Sequence, residues 1–232
     1  MPLKPPLALT IVKMGGSLAL SAERAAWLNT LVEWGGPLIL VPGGGPFADC
    51  VRRAQSAMGF DKQTAHQLAL MAMGQYGIAL AAHCGAFTLA ATLDNIGLAL
   101  CGGKIPVWLP EKMALAASEV PASWEVTSDS LAAWLAGICG ASRLLLIKSV
   151  DLKAPSPAHT LAAKKIIDPA FPQFASASKA AVWLAGPAGL AGAAAILQRG
   201  GLPGTSVILP SRSLHCDAIA HGPAPPGAGL QI

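Results

Sequence analysis

LALTIVKMGGS, residues 7–17, decides the reading of this chain: an apolar run without alternation that ends on a lysine and a pair of glycines. Residues 7–13 have the composition of a strand buried on both faces, and Gly15-Gly16 stop it in a loop. Residues 21–34 then put Trp27, Leu28, Leu31 and Val32 at helical spacing and close on Gly35-Gly36. Residues 37–41 (PLILV) are a second buried strand. Pro42-Gly43-Gly44-Gly45-Pro46 suits neither element and is expected as a loop. Residues 47–58 follow as a helix with Asp49, Arg52 and Arg53 on its polar side. This order is that of a mostly parallel sheet covered by helices on both faces, a three-layer αβα sandwich of the α/β class.

The pattern continues outward. A long helix is expected over 61–84 and another over 87–95, with short strands over 97–101, 106–109 and 124–126. Residues 128–139 read as a helix, 143–147 (RLLLI) as a strand, and 148–159 as a polar, proline-containing loop. Late strands over 180–184 and 205–209 flank a helix over 189–198, and the tail after His221 is expected to be loose. With no internal repeat or linker, the expectation is one domain over 1–232. It has an N-terminal lobe to about residue 140 and a C-terminal lobe beyond it.

Composition narrows the function. The 232 residues are 53% hydrophobic and only 12% charged, enough for one sizeable core and too apolar for a disordered chain. The net charge of +4 comes without a Lys/Arg block or basic–aromatic interleaving, which argues against a nucleic-acid partner. Residues 77–93 and 181–197 are apolar, but His83 and Gly85 interrupt one and Gly186, Pro187 and Gly189 the other. Both fall at or below the ~18–20 clean residues that a membrane span needs, so they are read as core. Cys50, Cys84, Cys101, Cys139 and Cys216 are odd in number, with no C-x-x-C pair, as for reduced thiols in a cytoplasmic protein. The N-terminal apolar run is too short for a signal peptide.

Four places hold candidate chemistry. Lys13, Gly15, Gly16 and Ser17 lie where a parallel strand delivers its loop to the ligand-binding edge. Glycine N–H groups there can face phosphate oxygens beside the lysine charge; the plainer alternative is a turn with a snorkelling lysine. Gly43, Gly44 and Gly45 make a second such loop, backed by a helix N-terminus that favours anions. Read as G-x-G-x-x-A, this loop half matches a dinucleotide fingerprint, but the region where the acidic partner should end a strand looks helical. Thr127-Ser128-Asp129-Ser130 has N-cap chemistry, and its carboxylate could also hold a lysine or bind a metal through water. Lys148 and Asp151 leave another strand, either beside a nucleotide phosphate or simply in solvent. The five histidines show no metal spacing and no protein-ligated metal is expected; His66 reads as structural, and His215-Cys216-Asp217 are adjacent rather than convergent. Neither a Walker P-loop nor a G-x-S-x-G elbow occurs.

Taken in order, VKMGGS (12–17), VPGGGPFAD (41–49), TSDSLAAWLA (127–136), LLLIKSVDL (144–152) and GLPGTSVI (201–208) resemble the amino-acid-kinase superfamily. Residues 41–77 and Asp168-Pro169-Ala170-Phe171 are most similar to its aminomethylfuran phosphate kinases, of methanofuran biosynthesis. The resemblance implies an ATP- and Mg²⁺-dependent phosphotransferase of one-carbon metabolism. It would convert the phosphomonoester of an aminomethylfuran to a diphosphate, as a cytoplasmic homo-oligomer. It also implies that Lys13 bridges the two phosphates, that Asp129 orients the catalytic lysines, and that Gly15, Gly16 and Ser17 face the moving phosphoryl group. Gly43, Gly44, Gly45 and Arg52 would serve the acceptor, and Lys148 and Asp151 the nucleotide. The family's T-D-V-D-G is here Lys148-Ser149-Val150-Asp151-Leu152, the asparagine often seen before Gly186 is missing, and Lys148, Lys165 and Lys179 all compete for the second lysine. Alternatives are a kinase of the same fold acting on UMP or a small carboxylate, a nucleotide- or oxyanion-binding protein without turnover, and an NAD-binding protein.

Overall fold

Thr10–Met14, from the opening stretch, form β1, and all five residues are buried. The computed structural model describes residues 8–210. After β1 come α1 (Glu23–Trp34), β2 (Leu38–Pro42), α2 (Gly45–Met58), α3 (Lys62–Ala81), β3 (Phe87–Ala90), α4 (Leu93–Cys101) and β4 (Ile105–Trp108). Then follow α5 (Glu111–Ala116), α6 (Ser128–Ile138), β5 (Arg143–Ile147), β6 (Ser156–Pro157), α7 (Ala158–Ala163), α8 (Phe171–Ser178), β7 (Ala181–Ala185), α9 (Ala193–Gln198) and β8 (Thr205–Ile208). The strands join in the order β3-β4-β2-β1-β5-β7-β8-β6. All pairings are parallel except β7 with β8. This is the sandwich that the unbroken apolar runs imply.

The period of two along each strand divides the core. Ile11, Ile39, Val41, Leu144 and Leu146 pack on one face with Leu131, Ala132 and Leu135 of α6. Val12, Met14, Leu38, Leu40, Leu145 and Ile147 pack on the other with Trp27, Leu28 and Leu31 of α1. β1 to β4 make one half of the sheet, β5 to β8 the other, and the halves meet where β1 pairs with β5.

The structure corrects five expectations. The loop expected over 148–159 stops short, because Ser156–Pro157 form β6 and Ala158 begins α7. Residues 87–95 and 97–101 exchange types: Phe87–Ala90 is a strand and Leu93–Cys101 a helix. The Thr92 side chain caps that helix by accepting a hydrogen bond from the Asn95 N–H at 3.2 Å, so Gly97 lies inside it. Residues 124–126 are a turn, closed by Val126 N–H donating to the Ser123 carbonyl, and no strand forms there. The expected loop over 42–46 shrinks to Gly43-Gly44, because Pro42 ends β2 and Gly45 begins α2. The late helix over 189–198 divides into a 3₁₀ turn, Pro187–Leu190, and α9. Leu7, His215, Cys216, Asp217 and His221 lie outside the described residues.

Candidate active site

Alternation along β1 decides where Lys13 points. Val12 and Met14 belong to the α1 face, so Lys13 joins Ile11 on the α6 face. Its register neighbours are Val41 on β2 and Leu146 on β5, and Lys148 follows Leu146 by two residues. Asp129, in the first turn of α6, meets both lysines. Its Oδ1 lies 2.8 Å from Lys13 Nζ and its Oδ2 2.5 Å from Lys148 Nζ. A carboxylate is favoured at a helix N-terminus, and here it also spans the junction between the halves of the sheet. Lys13 and Asp129 are 3% exposed, so this ion pair is shielded from solvent.

Burial sets the electrostatics. It pulls the Lys13 ammonium down to about 8, with Asp129 opposing that fall and Lys148 adding to it. Burial alone would push the Asp129 carboxyl up, but the ammonium groups of Lys13 and Lys148 outweigh it and hold the carboxyl well below its ordinary range. The result is a permanently ionised acid between two cations, a charge arrangement suited to receiving phosphate oxygens.

Asp168 supports this cluster from a distant loop. Its Oδ2 accepts hydrogen bonds from the Thr127 N–H (2.9 Å), the Thr127 hydroxyl (2.8 Å) and the Ser130 N–H (3.1 Å). Its Oδ1 accepts from the Ser130 hydroxyl at 2.5 Å. Asp168 thus caps α6, a role the Thr127 side chain does not take. Its own N–H donates to Asp129 Oδ2 at 3.3 Å. Burial raises its carboxyl pKa and the Asp129 charge adds to the rise, while the bonds from Ser130 and Thr127 oppose it.

The two glycine turns touch. Gly43 N–H donates to the Met14 carbonyl at 2.8 Å, and Gly15 N–H to the Ile147 carbonyl at 2.9 Å. A Cβ on Gly16 would collide with the Gly45 nitrogen, and one on Gly43 with the Gly16 nitrogen. Backbone contact between the turns therefore requires glycine. Ser17 Oγ donates to Ser149 Oγ at 3.1 Å, joining the first turn to the loop after β5. In that loop Asp151 Oδ2 accepts the Ala188 N–H at 3.2 Å. Leu152, where the resemblance implies glycine, avoids positive φ: the only described non-glycine residues with positive φ are Lys165 and Lys179.

A cavity of about 440 Å³ opens beside the turns. Gly16, Ser17, Gly44 and Gly45 form one end, and α2, α3 and residues 123–128 form its walls. Arg52 lines it, bonded to Asp49 at 2.8 Å and lying 4.5 Å over the Trp124 ring. Trp124 Nε1 donates to Gln55 Oε1 at 2.8 Å, which fixes the indole against α2.

Lys13, Asp129 and Lys148 meet at the strand ends that carry the touching turns of Gly15-Gly16 and Gly43-Gly44-Gly45. Of the proposed residues Gly16, Ser17, Gly44, Gly45 and Arg52 line the cavity, the Lys13, Asp129 and Lys148 cluster does not, and Asp151, in the loop after β5, bonds Ala188. Of the three competing lysines, only Lys148 has a bond to Asp129. Lys165 follows α7 and Lys179 caps α8. Sequence reasoning missed Asp168 as a cap; a lone acid after the apolar pair Ile166-Ile167 was the available signal.

A mostly parallel sheet with touching glycine turns and a carboxylate-bridged lysine pair at its strand ends defines an α/β protein. The chain belongs to the Amino acid kinase family, whose family model matches residues 8–159. It is 31% identical over 143 residues to the [5-(aminomethyl)furan-3-yl]methyl phosphate kinase of Methanocaldococcus jannaschii. That match covers 61% of this chain and 66% of the relative, just under two thirds of its length. Among solved structures, uridylate kinase from Archaeoglobus fulgidus is similar with a TM-score of 0.64 and 14% identity, over 87% of this chain and 100% of that one. Aspartate kinase from Synechocystis is similar with a TM-score of 0.61 and 16% identity, over 88% of this chain and 40% of that one. The two structural likenesses establish the shared fold. No described helix is long and apolar enough to cross a membrane.

Proposed function

We propose that the protein is an ATP-dependent phosphotransferase whose acceptor is itself a phosphomonoester, in the first instance that of an aminomethylfuran. The observation that carries this reading is the Asp129 bridge, which holds Lys13 and Lys148 together at the strand ends that carry the two glycine turns. Phosphoryl transfer asks for alignment and charge neutralisation more than covalent chemistry. An acceptor phosphate oxygen is already anionic at neutral pH, so the step needs no general base. Lys13 spans the donor and acceptor phosphates, Lys148 takes nucleotide charge, and Asp129 keeps both ammonium groups in place. Gly15, Gly16 and Ser17 face the transferred group, while Gly43, Gly44, Gly45 and Arg52 serve the acceptor. The β1–β4 half of the molecule then forms an acceptor lobe, and the β5–β8 half, with Asp151 at its loop, a nucleotide lobe.

Magnesium fits this site as a passenger of the nucleotide. Among the described residues no three His, Cys, Asp or Glu side chains cluster into a metal cage, and both Asp129 oxygens face ammonium groups. Phosphate oxygens would hold the ion, which when bound offsets phosphate charge. The resemblance supports reading the protein as a homo-oligomer of the cytoplasm with a role in methanofuran-type biosynthesis.

The test is ADP release from ATP and Mg²⁺ with a panel of aminomethylfuran phosphate, UMP, other small phosphomonoesters and small carboxylates. The expected result is turnover with the furan phosphate far above the rest. Preferred turnover of UMP or a carboxylate would replace the acceptor. Tight ATP binding with no ADP from any acceptor would replace turnover with storage or sensing.

A further inference from the structure

Residues 123–128 form one wall of the cavity and α2 another, and the Trp124 side chain crosses from the first to the second. Its Nε1–H donates to Gln55 Oε1 at 2.8 Å, and the Arg52 guanidinium lies 4.5 Å over its ring. Trp124 and Arg52 both line the cavity, so the ring that joins them borders the space between the walls. Trp124 is only half-buried, which leaves part of its surface open to an occupant.

Each contact of the indole is held from behind. Gln55 Nε2 donates to the Phe60 carbonyl at 3.3 Å and to the Asp61 carbonyl at 3.4 Å, in the turn between α2 and α3. Those bonds leave the amide oxygen for the indole. Arg52 is tied to Asp49 at 2.8 Å. At the other end of the wall, Thr127 is bonded to Asp168 through both its N–H and its hydroxyl. A ring fixed in this way loses little freedom when a ligand settles against it, so binding there costs little ordering. Position matters as well. Arg52 and Gln55 follow Gly45 by seven and ten residues, about 10–15 Å along α2. A phosphate at the glycine turns therefore leaves the rest of its molecule to run along α2 toward the indole.

We propose that Trp124 is a specificity-determining residue for the acceptor, a pre-ordered aromatic wall against which the body of the phosphomonoester rests. This rests on the phosphotransferase reading and adds the group that holds the non-phosphate part of the substrate. Of the six tryptophans, Trp124 alone lines the cavity, so an acceptor-dependent change in indole emission belongs to it.

The experiment uses wild type, Trp124→Phe, Trp124→Ala and Gln55→Leu, each checked for its fold by circular dichroism. It measures KM for ATP and for 5-(aminomethyl)furan-3-ylmethyl phosphate, and titrates that compound and the other phosphomonoesters of the panel against indole emission without ATP. Trp124→Phe and Gln55→Leu each remove the bond that fixes the ring, and each is expected to raise the acceptor KM about 2–10-fold. Trp124→Ala removes the wall itself and is expected to raise it about 10-fold or more. The KM for ATP is expected to stay within about twofold throughout, a split that loss of general packing would not give. Emission is expected to respond to the acceptor in wild type and not in Trp124→Phe. If Trp124→Ala does not fold, Trp124→Phe and Gln55→Leu carry the test. An emission response that survives in Trp124→Phe, an acceptor KM unchanged in the folded variants, or an equal rise in both KM values overturns the inference and leaves the kinase reading standing. A Trp124-dependent emission response without ADP from any acceptor overturns turnover and leaves Trp124 as the ligand's wall. Neither response nor ADP from wild type with any compound of the panel overturns both.

Discussion

Lys13 keeps its charge inside the protein only over part of the pH range. Its pKa of about 8 lies below the ordinary lysine value, so the free protein loses this cation as pH rises through that point. If the ammonium form is the one that handles phosphate, kcat/KM is expected to fall above about pH 8. The fall in kcat is expected at higher pH, because bound phosphates favour the charged amine. A pH–rate profile checks both limbs, and a kcat/KM that stays flat to about pH 10 would remove Lys13 from the reaction. Residues at strand ends were legible in the sequence because topology alone delivers them: Lys13, Gly15, Gly16, Gly43 and Lys148 each leave a parallel strand on the same edge. Asp168 was not, since it acts on a helix 38 residues away in the chain. That distance leaves no local pattern.

At the level of elements, α6 is the piece that turns packing into charge placement. Residues 128–136 of it are buried, and Asp168 satisfies its first N–H groups. Asp168→Ala leaves two N–H donors and two hydroxyls without their acceptor, which costs about 3 kcal/mol in denaturant unfolding. It also frees Asp129 to shift, so kcat is expected to fall alongside stability. An unchanged midpoint would mean that water replaces the carboxylate. Helix α8 offers the opposite case: Lys179 caps it at φ +61, a left-handed backbone that suits glycine. Lys179→Gly is expected to stabilise the fold by about 0.5–1 kcal/mol, read from the same unfolding curve. Strand and helix exchange across 87–101 because the interruptions there, Asp94, Asn95 and Gly97, lie inside α4, and the boundary is set instead by the Thr92 cap. Strands β1, β2, β5 and β7 were legible because they are mostly apolar without alternation and largely buried, Lys13 and Arg143 being their only charged residues and Ala181 their one exposed position.

Across the whole molecule, the halves of the sheet meet at β1 and β5, and Asp129 ties a lysine from each half into one cluster. Ser17 and Ser149 add a second link over the same junction. We propose that a phosphoryl group crosses from nucleotide to acceptor at this junction. Steady-state ADP formation by Lys13→Ala, compared with the wild type on the preferred acceptor and with its fold checked by circular dichroism, tests that most directly. A folded variant slowed by about 10²–10³-fold or more in kcat is expected. A folded variant with near-normal kcat would contradict the account, because the cation held by Asp129 would then have no part in the transfer.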